Sequence, residues 1–282
     1  MEKYQHIDTH AHLNLSAFDE DREEVIARTQ DAGVAVINVG TKVSTSRLAV
    51  EIAEAHEHCY AIIGLHPIQT APGYHDEDEV GEGSDPFASK GEVVDMDVYR
   101  ELAKSRQVVG VGETGFDYYH LAADTIEKQE AAFIAQIELA NELSLPLMIH
   151  TRNPKEPNHE LGDVYDNTYA VLKQYAKVPG NVHFYAGTYE QAKKFFDIGF
   201  TVSFTGVITF AKDYEDVVKA VPLDLMHAET DCPYVAPVPY RGKRCDPTMV
   251  KEVYKKIAEI KQMDEETVRA QLMENARKLY KI

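Results

Sequence analysis

Cysteine is scarce in this sequence. Cys59, Cys232 and Cys245 are the only three in 282 residues, they lie far apart, and none belongs to a C-x-x-C pair. That excludes a disulfide framework and leaves reduced thiols as the expected state. Long apolar runs are missing too, with no stretch approaching the ~18 consecutive apolar residues of a membrane span. The opening MEKYQHIDTH has neither a basic-then-apolar signal region nor a cleavage site. A soluble, cytoplasmic protein with no membrane contact and no obligate protein partner is expected. Positive charge is also short: 29 Lys and Arg stand against 47 Asp and Glu, for a formal charge of −18. Such a balance argues against a broad basic surface that grips nucleic acid without sequence preference, so a phosphate-bearing substrate would have to be held locally. Low-complexity runs and tandem repeats are absent as well.

What remains is the composition of an ordinary globular chain, 44% hydrophobic and 27% charged, long enough for one barrel or two modest domains. Eight runs rich in Val, Ile and Phe recur: 6–12, 34–40, 60–66, 108–114, 146–150, 181–187, 200–206 and 225–231. Helical patterns with apolar residues at spacings of three and four separate them, entered through Asp or Ser caps. One, from about Asp124 to Leu143, directs Phe133, Ile137 and Leu139 to a core. This alternation predicts an α/β protein, a single (β/α)8 TIM barrel over 1–282, rather than an open sheet. The acidic stretch 74–97 reads as a solvated loop insertion, and the helical end from Pro247 is expected to pack outside the barrel.

In HIDTHAH strict alternation puts His6, Asp8, His10 and His12 on one face, expected to look into the barrel. Burying imidazoles and a carboxylate there is costly without partners, and a metal ion would supply them. Other strands end in polar residues: His66, Glu113, His150, His183 and Asp231. Barrel sites form at the C-terminal ends of strands, so these residues should converge. Each also has a plain structural reading, as a helix cap or a satisfied core group. The mixture of nitrogen and oxygen donors at several strand ends favours a metal centre.

The segments DTHAHL, GLHP, GETGFDYY, LPLMIHTR, NVHFYAG, ETDCPYVAPVPYRGKR and NARKLY, in this order from first strand to last helix, resemble the TatD family of metal-dependent deoxyribonucleases. That family belongs to the amidohydrolase-type barrel superfamily. The resemblance implies a two-metal hydrolase that cleaves phosphodiester bonds in DNA, often trimming single strands or frayed ends from the 3′ side. It implies His10 and His12 at a first cation, Glu113 as the bridging carboxylate, His150 and His183 at a second, and Asp231 as the last-strand ligand. The donor set permits magnesium, manganese or zinc.

Asp231 is the candidate to orient or deprotonate the attacking water, and Glu113 and His66 complete the catalytic set. His66 is placed either to protonate the leaving oxygen or to hydrogen-bond a non-bridging oxygen, or else it serves a structural turn. Asp8 and Glu229 are candidates to orient imidazoles. Arg152, Arg241, Lys243 and the neighbouring Arg244 are candidate phosphate contacts, and Tyr118, Tyr119 and Tyr185 could stack on bases. Cys232 reads as packing, and Asn275 and Arg277 as ties of the last helix to the barrel.

Two places depart from the family's usual wording: FYAG, where Ala186 replaces a serine, and GKRCDP, where Cys245 and Asp246 replace Asn and Glu. Neither removes a proposed metal ligand, and both bear on substrate preference and rate. Two other readings fit the same donors. One is an amidohydrolase acting on a small cyclic amide or lactone; the other is a metal-stabilised binding protein without turnover.

Overall fold

The computed structural model describes residues 4–75, 87–119, 125–155 and 161–282. Its central sheet has eight strands, all parallel, in the order β1 (His6–Ala11), β2 (Val34–Val39), β3 (Cys59–Ile63), β6 (Val108–Asp117), β7 (Leu147–Arg152), β8 (Gly180–Val182), β9 (Phe200–Phe204) and β10 (Met226–Ala228). Beyond β10 the chain returns to β1, where Ala11 pairs with Cys232 and the Asp231 amide donates to the His10 carbonyl at 2.9 Å. These bonds close the barrel that the alternation predicts.

Helices cover its outer face: α1 (Arg22–Asp31), α2 (Val43–Ala55), α3 (Met96–Leu102), α4 (Ile126–Leu143), α5 (Val164–Tyr175), α6 (Tyr189–Phe196), α7 (Glu215–Ala220), α8 (Val250–Lys261) and α9 (Glu265–Tyr280). Their caps follow local chemistry. Asp95, Asp163 and Asp264 accept backbone N–H bonds at the starts of α3, α5 and α9, and Thr188 forms a reciprocal box with Gln191 at α6. Asp21 precedes α1 without capping it, since its carboxylate is spent on Arg244. In α4, Phe133, Ile137 and Leu139 are fully buried, as the spacing predicts; Asp124 lies outside the described residues. Among the described residues no helix is long and apolar enough to cross a membrane.

Three expectations change. In β1 the pairing passes from Asp8↔Val36 to Ala11↔Asn38, so three steps on one strand meet two on the other. Such a bulge re-aims side chains and breaks strict alternation. Ile7 accordingly joins the inner apolar cluster with Ala35, Ile37 and Met148. His6 instead packs edge-on against Tyr254 of α8, and of these four only His10 and His12 reach the groups of candidate metal ligands. The insertion is not simply a loop: β4 (Pro72–His75) and β5 (Phe87–Lys90) pair antiparallel, and α3 begins at Met96. Residues 76–86 lie outside the described residues.

Finally, the C-terminal segment does two jobs. Helix α8 packs outside, with Val253 and Ile257 buried, while Met273, Ala276 and Tyr280 of α9 join the inner cluster of barrel residues. Asn275 Nδ2 donates to the Leu223 and Met226 carbonyls, both at 2.8 Å, just where β10 starts. Helix α9 therefore covers the N-terminal end of the barrel and leaves the opposite mouth for the site.

Candidate metal centre

Glu113 is the hub of the C-terminal mouth. It reaches this position because β6 lies close against β7: a Cβ at Gly112 would come within 2.4 Å of the Met148 carbonyl, and one at Gly115 within 2.1 Å of that of His150. Both glycines also hold positive φ values that other residues rarely adopt.

The two carboxylate oxygens of Glu113 face different partners. Oε2 lies 3.3 Å from His10 Nε2 and 3.8 Å from His12 Nε2. Oε1 lies 2.6 Å from His183 Nε2, 2.8 Å from His150 Nδ1 and 3.3 Å from His66 Nε2. On the Oε2 side Asp231 Oδ1 stands 3.3 Å from His12 Nε2 and 3.6 Å from His10 Nε2. Tertiary folding thus gathers all six ligand candidates, and the backbone at Asp231 adopts a left-handed φ of 58° as it turns toward β1.

The electrostatics favour added positive charge. Burial alone would raise the Glu113 carboxyl, but His183, His66 and His10 around it hold it well below the usual carboxylate range. Burial likewise opposes the Asp231 carboxylate, and its bond to His12 together with the charges of His10 and His183 keeps it low. Burial lowers His183, yet Glu113 and Glu229 overcome this and raise it well above the ordinary imidazole value. His12 and His150 are raised in the same way, against burial, by Asp231 and by Asp117 and Glu113 respectively. His10, facing His183, is lowered, with burial the main cause. His66 is lowered to about 4, by burial first and then by neighbouring His150.

The donor set fits a cation. His12 Nδ1 sits 2.8 Å from the Val39 carbonyl and donates to it, which leaves the Nε2 lone pair facing His10 Nε2 at 3.1 Å. Donor atoms of His10, His12 and Asp231, and of His10, Glu113 and His183, lie within 4.8 Å of one another. A third such group, His66, Asp117 and His150, includes a residue the sequence analysis passed over. Asp117 is fully buried and its Oδ2 lies 2.9 Å from His150 Nε2, on the far side of the ring from the Nδ1 that faces Glu113. The signal was present: Glu113, Gly115 and Asp117 alternate on one strand, but reading β6 as ending at 114 hid it.

Other candidates fall in different places. Glu229 Oε1 accepts the Phe184 amide at 2.7 Å and stands 3.6 Å from His183 Nδ1, which is buried without a hydrogen-bond partner, so it acts on that imidazole through its charge and does not orient it by a hydrogen bond. Asp8 instead accepts the Thr230 amide and hydroxyl and the His10 amide, holding the β10 turn rather than a ring. His66 Nδ1 accepts the Ile68 amide at 3.1 Å, which assigns the proton to Nε2.

A cavity of about 660 Å³ opens above the cluster, lined by Arg152 and by Lys42, which sequence reasoning missed. Arg241 and Lys243 are not among its lining residues: Arg241 stacks on Phe210 and donates to the Ala236 carbonyl, and Lys243 lies over Tyr240. Arg244 binds Asp21 and the Ala17 carbonyl. Tyr118 and Tyr185 are buried, with hydroxyls bonded to Asn167 and Thr188, and Tyr119 lies under Arg152. Among the described residues, the phenylalanine and tyrosine side chains that do line the cavity are Phe184, Tyr165, Tyr214 and Tyr234. Cys232 and Cys245 are buried, and burial pushes both thiols well above their ordinary value. Asp246 pairs with Arg28 and caps Thr248, and Ala186 lines the cavity.

A closed parallel barrel with imidazoles and carboxylates converging at its C-terminal mouth defines the class of barrel metal-dependent hydrolases. Within that class the chain belongs to the TatD related DNase family, whose model matches residues 7–281. It is 36% identical over 280 residues to an uncharacterized metal-dependent hydrolase, YabD, of Bacillus subtilis, with 98% of both chains covered. It is 29% identical to the 3′-5′ ssDNA/RNA exonuclease TatD of Klebsiella pneumoniae, covering 98% of this chain and 97% of that one. The crystal structure of YjjV, a TatD homologue from Escherichia coli, shares the fold with a TM-score of 0.81 at 24% identity, covering 100% of both chains. The chain is a metal-dependent hydrolase acting on ester bonds.

Proposed function

We propose that this protein hydrolyses phosphodiester bonds of DNA, trimming single strands or frayed ends from the 3′ side with two divalent cations. The division of the Glu113 oxygens between His10 and His12 on one side and His150 and His183 on the other carries this reading. A carboxylate so shared is suited to bridge two ions. The nuclease relative supports the choice of substrate. Divalent cations held there would acidify water and polarise the phosphoryl oxygens.

The chain's own residues supply the remainder. Asp231 is ionised and stands at the cavity edge, where it orients the attacking water and accepts its proton. His66, neutral at pH 7 with its proton on Nε2, donates a hydrogen bond to a non-bridging oxygen rather than a proton to the leaving group. Arg152 steers the reacting phosphate, while Arg241 and Lys243 can meet the strand only beyond the lining of the cavity. The expected cytoplasmic location and the lack of an obligate partner belong to this proposal.

The test is a metal-titrated digestion of 3′- and 5′-labelled single- and double-stranded oligonucleotides by wild type and Glu113→Ala. Loss of the shared carboxylate should cut the rate at least about a thousandfold, and chelator should abolish it. Equal digestion by the two proteins would refute the bridge.

A further inference from the structure

The cavity is short of fixed positive charge. Among its described lining residues only Lys42 and Arg152 carry it, in a chain whose formal charge is −18. Lys42 stands between β2 and α2 on a braced backbone: its amide donates to Thr45 Oγ1 at 3.0 Å, and its carbonyl accepts the Ser46 amide at 2.8 Å. The side chain is half-buried, and among the described residues no carboxylate lies within ion-pair distance of its ammonium. A cation at the cavity wall without a counter-charge is available to an anion that enters. Arg152 extends from the end of β7, and β3 and β6 separate that strand from β2 in the sheet order, so the two cations flank the Glu113 cluster.

We propose that Lys42 binds a phosphate of the nucleic-acid strand next to the one being cut, so that the strand crosses the mouth from Lys42 toward Arg152. The inference rests on the nuclease reading above. It concerns a non-reacting phosphate, for which a point charge with freely turning donors is suited.

The experiment compares wild type, Lys42→Gln and Lys42→Arg on a single-stranded oligonucleotide over a range of salt concentrations. In parallel, the linkage beside the cleaved bond is replaced by an uncharged methylphosphonate. Lys42→Gln should raise KM about tenfold, more than it lowers kcat, as expected for loss of one charge-assisted contact. The slope of log kcat/KM against log salt should flatten by about 0.7, the value of one phosphate on a single strand. Lys42→Arg should keep the slope. The methylphosphonate should slow wild type and leave Lys42→Gln indifferent. If wild type cuts the oligonucleotide but Lys42→Gln keeps both its slope and its methylphosphonate penalty, the Lys42 contact is refuted while the nuclease reading stands. If wild type fails to cut nucleic acid under any metal, both fall.

Discussion

At the residue scale, the proposed ligands and the groups behind them have separate tasks. Glu113 gathers the imidazoles, while Asp117 stands 2.9 Å behind His150 Nε2 and fixes which of its nitrogens faces Glu113; Glu229, 3.6 Å from His183 Nδ1, makes no such bond. Asp117→Ala should therefore weaken divalent-cation binding by about ten- to a hundredfold. Activity should recover at raised metal concentration, which calorimetric metal titration and a rate curve against metal would show. Unchanged affinity would reduce Asp117 to a packing group. Only part of this arrangement was legible beforehand. Strand-end His, Glu and Asp stood out because polar side chains at those positions need partners, whereas Lys42 sits in a helix entry that looks like any solvated surface.

At the element scale, the β1 bulge and helix α9 decide what the mouth and the floor of the barrel contain. The bulge lets His10 and His12 face the cluster while Ile7 faces the inner apolar core, which a regular strand could not do with this spacing. Helix α9 is fixed by the two hydrogen bonds from Asn275. Replacing Asn275 with Ala strands two carbonyls and should cost about 2 kcal/mol. Denaturant unfolding would measure this, with metal affinity left intact because the helix lies at the far end of the barrel. A loss of metal binding in the folded variant would show that the floor and the mouth are coupled. The helical spacing of this segment was plain in the sequence, but both of its helices have an apolar face, and nothing local says which one seals the end.

At the scale of the whole molecule, the centre couples protonation, metal and stability. Glu113 and Asp231 titrate below their unfolded values, so their contribution is present above about pH 4.5 and lost as pH falls. His12, His150 and His183 titrate above theirs; their contribution is complete below about pH 6.5 and lost as pH rises through the raised values. His10 and His66, both lowered, act in the opposite sense below about pH 6.5. Cations compete with protons for the raised imidazoles, so the stabilisation they give should grow as pH rises from about 5.5 to 8. Thermal unfolding with divalent metal and with chelator across that range would show a widening gap. A constant gap would mean that metal binding displaces no protons.

The order of strands and helices, and the donors waiting at strand ends, were determined by the sequence itself, because periodicity and polar residues in apolar runs are local properties. Only the tertiary structure decided which of those donors share Glu113, that Asp117 backs His150, and that Lys42 rather than Arg241 borders the cavity. The reason is geometric. Barrel closure, the bulge and the glycine-enabled approach of β6 to β7 fix distances between residues far apart along the chain, and no local pattern encodes those distances.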